Sequence, residues 1–147
     1  MLVARLVAVS DLRVEEVPTP SPGPGEVLVE VGANTLCGTD GRILRGDKTA
    51  YVELPVVLGH EAAGRVADVG RGVVGYRVGD RVGVLPTIPD RRCWACRHDL
   101  ENMCESKRLL GYSVDGAWPS TCSSPPTRSR PAACSWRSPT SPPSRSP

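Results

Sequence analysis

The stretch RRCWACRHDLENMC carries Cys93, Cys96 and Cys104. A Cys-x-x-Cys pair lets two thiolates reach one ion from a single turn, at about 2.3 Å for zinc, and tetrahedral zinc asks for two more donors. Cys104 is a third donor, and Asp90 and His98 are candidates for the fourth. Three buried structural cysteines would be the bland reading; the spacing and the polar loop around them favour a metal. A redox pair would open a helix within a βαβ unit, and no such unit surrounds this one. A second set is dispersed: Cys37 in LCGTD, and His60 with Glu61 in GHE. Thiolate, imidazole and carboxylate suit a catalytic zinc site that keeps one position open to water or substrate. On composition alone that set is weak, because a single His beside a Gly turn is more often a core residue. GRGVVG, Gly70 to Gly75, fits the dinucleotide pattern G-x-G-x-x-G, with Asp90 twenty residues after its first glycine. That site needs a helix starting at the glycines. YRVGDRVGVLP follows instead, so the glycines read as turns between strands.

The elements that must position these donors are strands. ARLVAVSDLRVEEVPTP predicts two short strands around a turn at Ser10-Asp11. PSPGPGE is a stiff Pro/Gly loop. EVLVEVGAN alternates, with Val27, Val29 and Val31 on one face and Leu28 and Glu30 on the other. CGTDGRILRG reads as a loop entering one helical turn. LPVVLGHEAAGRVADVG is apolar, β-branched and broken by Gly59, Gly64 and Gly70, and GDRVGVLP is a further strand. Strands separated by Gly turns, with no long helical period, predict a mainly β, antiparallel barrel or sandwich. Thr87 to Lys107 reads as a long loop, and a loop of about 20 residues in a compact domain needs function or a metal staple.

Composition narrows the function classes. The 147 residues suffice for one domain, aromatics are 4% and Phe is absent, so the core must come from Val, Leu, Ile and Ala. No apolar run approaches the roughly 18 residues of a membrane span, and the N-terminus lacks a signal-peptide pattern. No membrane partner and a cytoplasmic location are therefore expected. The net charge of +2 is misleading: four of the 18 basic residues and none of the 16 acidic ones lie beyond Trp118. The 14 basic and 16 acidic residues before it leave −2, with no electrostatic footprint for nucleic acid. Six cysteines could form a secreted disulfide framework, but four stand in metal-like contexts and the other two, Cys122 and Cys134, lie in an atypical tail.

GHEAAGRVADVGRGVVGYRVGDRVGV resembles the zinc signature of the medium-chain alcohol and polyol dehydrogenases. LCGTD is similar to the segment carrying their first catalytic ligand, and CWACRHDLENMCES to their structural-zinc loop. The resemblance runs from near Met1 to Trp118 and implies a GroES-like β-barrel as the catalytic domain. It implies that Cys37 and His60 are catalytic zinc ligands and that Glu61 ligates or exchanges there. It implies that Thr39 begins proton relay from the substrate alcohol and that Asp40 orients the ligating histidine, although a turn residue and a helix cap are the plain alternatives for these two. The family's structural loop has three Cys at Cys-x-x-Cys-x-x-Cys and a fourth eight residues on. Anchored on Cys104, that pattern puts Asp90 at the first position, so a site of Asp90, Cys93, Cys96 and Cys104 is expected, with His98 an ordinary surface residue. The implied cofactors are two kinds of Zn2+ site, catalytic and structural, and NAD or NADP in the full-length enzyme. The implied partner is a small alcohol or polyol, and full-length relatives are implied to be homo-oligomers.

Residues 1–118 therefore read as an incomplete GroES-like catalytic domain. Residues 119–147 read as a disordered tail, with 17 of its 29 residues Pro or Ser and no Asp, Glu, Lys, Gly, Val, Leu or Ile. A frameshift accounts for the tail. Family members continue after DGAW with a strand similar to AEYVLVPAD. In GC-rich codons, loss of one G after the Trp codon turns that strand into PSTCSSPPT, the residues found from Pro119 to Thr127. A genuine linker is the rival. On the frameshift reading Cys122 and Cys134 leave the metal count, a neighbouring strand exposes its edge, and the 147 residues, with no Rossmann domain, do not turn over NAD(P). The rival functions are a non-catalytic zinc-binding module and a GroES-like co-chaperone; the two metal sets argue against the latter, which shares only fold.

Overall fold

The computed structural model describes residues 1–118 and the backbone of Thr121–Ser123. The rest of the tail reading, with Cys134 and the Cys122 side chain, lies outside the described residues. Strands β1 (Leu2–Ala8) and β2 (Asp11–Glu16) form the expected hairpin, paired from Leu2↔Glu16 to Ala8↔Asp11. Ser10 takes φ 62° in its turn. The free edge of β1 accepts a short strand β4 (Val56–Val57) through Leu6↔Val56 and Arg5↔Val57.

The second sheet is centred on β3 (Val27–Asn34) and β5 (Ala62–Val69). Beyond β5 lies β6 (Arg81–Gly83), shorter than the strand expected from GDRVGVLP. Every ladder among the described strands is antiparallel. Val27 and Val29 are buried as the alternation predicts, but Leu28 is buried too, so the first half of β3 is covered on both faces. The core is one valine-rich cluster of Val27, Val29, Val66, Val82 and Val84 with Ile88 and Leu110, and a smaller one of Leu6, Ile43, Val56 and Leu58. No helix among the described residues is long and apolar enough to cross a membrane.

GRGVVG forms turns between β5 and β6, as expected. A Cβ on Gly70 would lie 1.8 Å from the Gly23 carbonyl oxygen, so the glycine is there for a close backbone crossing. The Pro/Gly loop is tied down at that crossing by Gly70 N–H to Glu26 O at 2.8 Å and Gly25 N–H to Arg71 O at 2.9 Å.

Two local readings need correction. Helix α1 (Gly38–Arg45) runs two turns, not one. Its glycines and threonine are poor helix formers, but Ile43 seats it in the smaller core cluster and Gly46 closes it at φ 82°. The long loop is also structured. Strand β7 (Thr87–Ile88) pairs with β8 (Arg108–Leu109), and helix α2 (Trp94–Arg97) and a 3-10 turn (Glu101–Met103) lie between. The β7–β8 pairing closes the loop at its base.

Strand β9 (Thr121–Ser123) pairs with β3 through Leu28↔Ser123, Val29↔Cys122 and Glu30↔Thr121. The edge of β3 expected to stand open is covered along those three positions.

Candidate metal centres

Cys37 sits where β3 has ended and α1 begins. Its backbone N–H donates to Asp40 Oδ2 at 3.0 Å, so Asp40 caps the helix. The same carboxylate turns its other oxygen toward His60, with Oδ1 3.3 Å from Nδ1. Asp40 is 2% and His60 7% exposed. These two facing atoms are out of hydrogen-bond alignment, and neither has another partner among the described residues. One carboxylate oxygen thus caps the helix, and the other lies beside the imidazole.

The backbone brings His60 to Asp40. Gly59 has φ 93°, and a Cβ there would lie 2.1 Å from Trp118 Cδ1 and 2.6 Å from Asn34 Nδ2. DGAW lies alongside the residues that lead to His60. Gly116 N–H donates to Val57 O at 2.8 Å, Ala117 N–H to Gly59 O at 2.8 Å and Trp118 N–H to Leu58 O at 3.0 Å. Asp115 Oδ1 accepts the Val57 N–H at 2.8 Å, and Arg5 reaches the same carboxylate at 3.3 Å. Asn34 Nδ2 donates to Ala117 O at 2.9 Å.

Glu61 is exposed and held by Thr35, whose N–H donates to the Glu61 carbonyl at 3.0 Å and whose hydroxyl bonds the Glu61 carboxylate. That hydroxyl, and less strongly Cys37 and His60, keeps the carboxyl below its ordinary pKa against desolvation. Thr39 Oγ1 lies 3.5 Å from Cys37 Sγ. Cys37, His60 and Glu61 each offer a donor atom, and the three atoms lie within 4.8 Å of one another. A soft sulfur, an imidazole and a carboxylate at that spacing, with a further carboxylate 3.3 Å from the imidazole Nδ1, fit zinc. Thr35 and Tyr112 belong to this site and escape sequence reasoning. Thr35 has nothing to distinguish it from a strand-end residue. Tyr112 becomes visible only once its ring is seen 5.4 Å from that of His60, tilted by 56°.

In the β7–β8 loop, donor atoms of Asp90, Cys93, Cys96 and Cys104 also lie within 4.8 Å of one another. Asp90 Oδ1 accepts the N–H groups of Arg92 at 2.8 Å and Cys93 at 3.1 Å, and the Asp90 N–H donates to Cys104 Sγ at 3.3 Å. The two backbone N–H groups hold the Asp90 carboxyl far below the usual carboxylate range. Cys93 Sγ is 3.5 Å from Cys96 Sγ. Desolvation, with the neighbouring thiols, pushes Cys96 up to about 12. Backbone N–H groups of Cys96 and Glu105 pull Cys93 below the ordinary thiol value. Three thiols and a carboxylate fit a closed structural zinc site. His98 stands outside this cluster, exposed and stacked on Trp94 with ring centroids 4.3 Å apart.

Residues 23–131 match the alcohol dehydrogenase GroES-like domain. The chain belongs to that family. The GroES-like domain is 40% identical over 105 residues to the L-threonine 3-dehydrogenase of Thermococcus kodakarensis, covering 70% of this chain and 30% of the relative. It is 41% identical over 126 residues to the NAD-dependent alcohol dehydrogenase of Sulfurisphaera tokodaii, covering 80% of this chain and 36% of the relative. Among solved structures it resembles a cobalt- and zinc-bound thermostable alcohol dehydrogenase from Pyrobaculum aerophilum, with TM-score 0.75 and 30% identity over 85% of this chain and 39% of that one. The chain thus spans about a third of the length of these relatives. The mainly β, GroES-like expectation holds, and zinc and a nicotinamide cofactor occur in the family through relatives so described.

Proposed function

We propose that this chain is the zinc-holding catalytic domain of an NAD(P)-dependent alcohol or polyol dehydrogenase. The observation that carries the reading is the convergence of Cys37, His60 and Glu61 with Asp40 behind His60. Cys37, His60 and Glu61 would hold the catalytic zinc, and Asp90, Cys93, Cys96 and Cys104 the structural one. Bound zinc supplies Lewis-acid chemistry, polarising an alcohol oxygen and lowering its pKa, and a nicotinamide supplies the hydride acceptor. With the ion bound, Asp40 would accept a hydrogen bond from the His60 Nδ1–H, which favours the tautomer that leaves Nε2 free to ligate. Thr39, beside Cys37 Sγ, would accept a hydrogen bond from the alcohol hydroxyl on its own oxygen, as the first group to meet the alcohol proton. The loop site ties the β7–β8 loop to itself, and the substrate is a small alcohol or polyol. We place the protein in the cytoplasm, where thiolate ligands stay reduced.

The chain spans about a third of the length of its nicotinamide-dependent relative, and turnover with NAD(P) is expected to need more than these 147 residues. The deciding experiment is metal analysis of the purified chain. Two zinc per chain are expected, one for each donor cluster; Cys37→Ser removes one and Cys96→Ser the other. A chain with zinc only in the loop sinks the catalytic reading, and alcohol oxidation by the isolated chain sinks the expectation of inactivity.

A further inference from the structure

Tyr112 has no part in the donor set, yet it is built into its wall. Its backbone is fixed at the base of the metal loop, with its N–H donating to Leu109 O at 3.2 Å and its carbonyl accepting from Glu53 N–H at 2.9 Å. Its side chain packs against the Leu6, Ile43, Val56 and Leu58 cluster. Its ring lies 5.4 Å from the His60 ring, tilted by 56°. Asp40 faces the Nδ1 of the same imidazole at 3.3 Å. His60 thus has a carboxylate at one nitrogen and an aromatic ring against it. A long carboxylate contact out of alignment does not by itself fix the ring plane, so a planar neighbour is the missing restraint.

Resting on the zinc reading above, we propose that Tyr112 is a positioning residue for the Cys37–His60–Glu61 centre: its ring sets the plane of the His60 imidazole so that Nε2 points at the ion. Tyr112 therefore links the loop that carries one metal cluster to the side chains of the other.

The test uses the full 147-residue chain with Tyr112→Phe and Tyr112→Leu. Both variants fill the core, and only Phe keeps a flat ring. Zinc affinity is measured at both clusters by competition with a chromophoric chelator. His60 is followed by imidazole nitrogen NMR, which is tractable because the chain has only two histidines. Tyr112→Leu is expected to weaken the Cys37–His60–Glu61 site by about 10- to 100-fold, the range for losing a group that orients a ligand. It should also spread the His60 signals over both tautomers. Tyr112→Phe should restore affinity and a single Nδ1–H tautomer, and the loop site should keep its affinity in both. If Leu and Phe behave alike, the proposal fails. Loss of affinity at both clusters would mark Tyr112 as structural only and also overturns it. A wild-type chain that holds zinc only in the loop overturns the zinc reading first, and the proposal with it.

Discussion

Asp40 joins helix α1 to the Cys37–His60–Glu61 cluster, because its two carboxylate oxygens face different partners. Oδ2 accepts the Cys37 N–H and Oδ1 faces His60. Asp40→Asn can keep the cap through its amide oxygen but loses the charge that retains the Nδ1 proton. Zinc affinity at that site should fall by about 10- to 100-fold, while a urea melt of the metal-free chain moves little. Asp40→Ala also loses the cap, which adds about 1 kcal/mol of destabilisation; equal melts for Asn and Ala would contradict the division of labour. The loop site makes the complementary point. Asp90 stays ionised because backbone N–H groups hold its carboxyl far down, whereas Cys96 is pushed up to about 12 and must lose a proton to ligate. Protons therefore compete with zinc at the thiols and not at Asp90, and loop affinity should rise with pH across the neutral range. Asp90→Asn should lower that affinity by about tenfold or more and leave the slope against pH unchanged, as titrated with a zinc chelator; a flatter slope would assign the proton to Asp90. The donor residues that converge in the two clusters were legible in the sequence because their types and spacings are chemical. Tyr112 and Thr35 were not, because their roles come from packing and from one backbone crossing between distant segments.

Elements explain why His60 arrives where it does. LPVVLGHEAAGRV reads as one apolar run, yet it divides into β4 on the first sheet and β5 on the second, with Gly59 and His60 between. The division needs a residue at φ 93° with no Cβ, because Trp118 and Asn34 fill the space a side chain would take. Gly59→Ala should cost about 3 kcal/mol or more, from the left-handed backbone and the clash together, measured by urea unfolding of the zinc-free chain. A loss below 1 kcal/mol, on the order of an ordinary helix-propensity change, would mean that Trp118 moves aside at little cost. The antiparallel β class was legible from valine alternation and glycine spacing. The second turn of α1 was not, because Gly38, Thr39 and Gly41 argue against a helix locally and burial of Ile43 overrides them. The short β7–β8 clasp was equally hidden, since two-residue strands leave no period to read.

At the scale of the molecule the question is what DGAW joins. Asp115 to Trp118 are stitched to the segment from Val57 to Gly59, and the chain then reaches the edge of β3. There Cys122 pairs with Val29, which is fully buried, and Thr121 and Ser123 pair with Glu30 and Leu28. Residues paired across an antiparallel ladder share a face, so position 122 belongs to the core face of the second sheet. On our proposal that PSTCSSPPT is AEYVLVPAD read one base out of step, the in-frame residue at that position is a valine, with tyrosine and leucine on either side. On that proposal a three-residue strand already lies along β3 where the in-frame sequence would place a longer apolar one. Replacing residues 119–127 by AEYVLVPAD should bury at least one further aliphatic side chain, worth about 2 kcal/mol, and raise Tm by about 5–10 °C. It should also reduce aggregation, because a longer apolar strand covers more of the β3 edge. A differential scanning calorimetry comparison decides it. An unchanged or lower Tm would show that the existing strand already satisfies the sheet, and would favour the tail as a genuine sequence over a displaced reading frame.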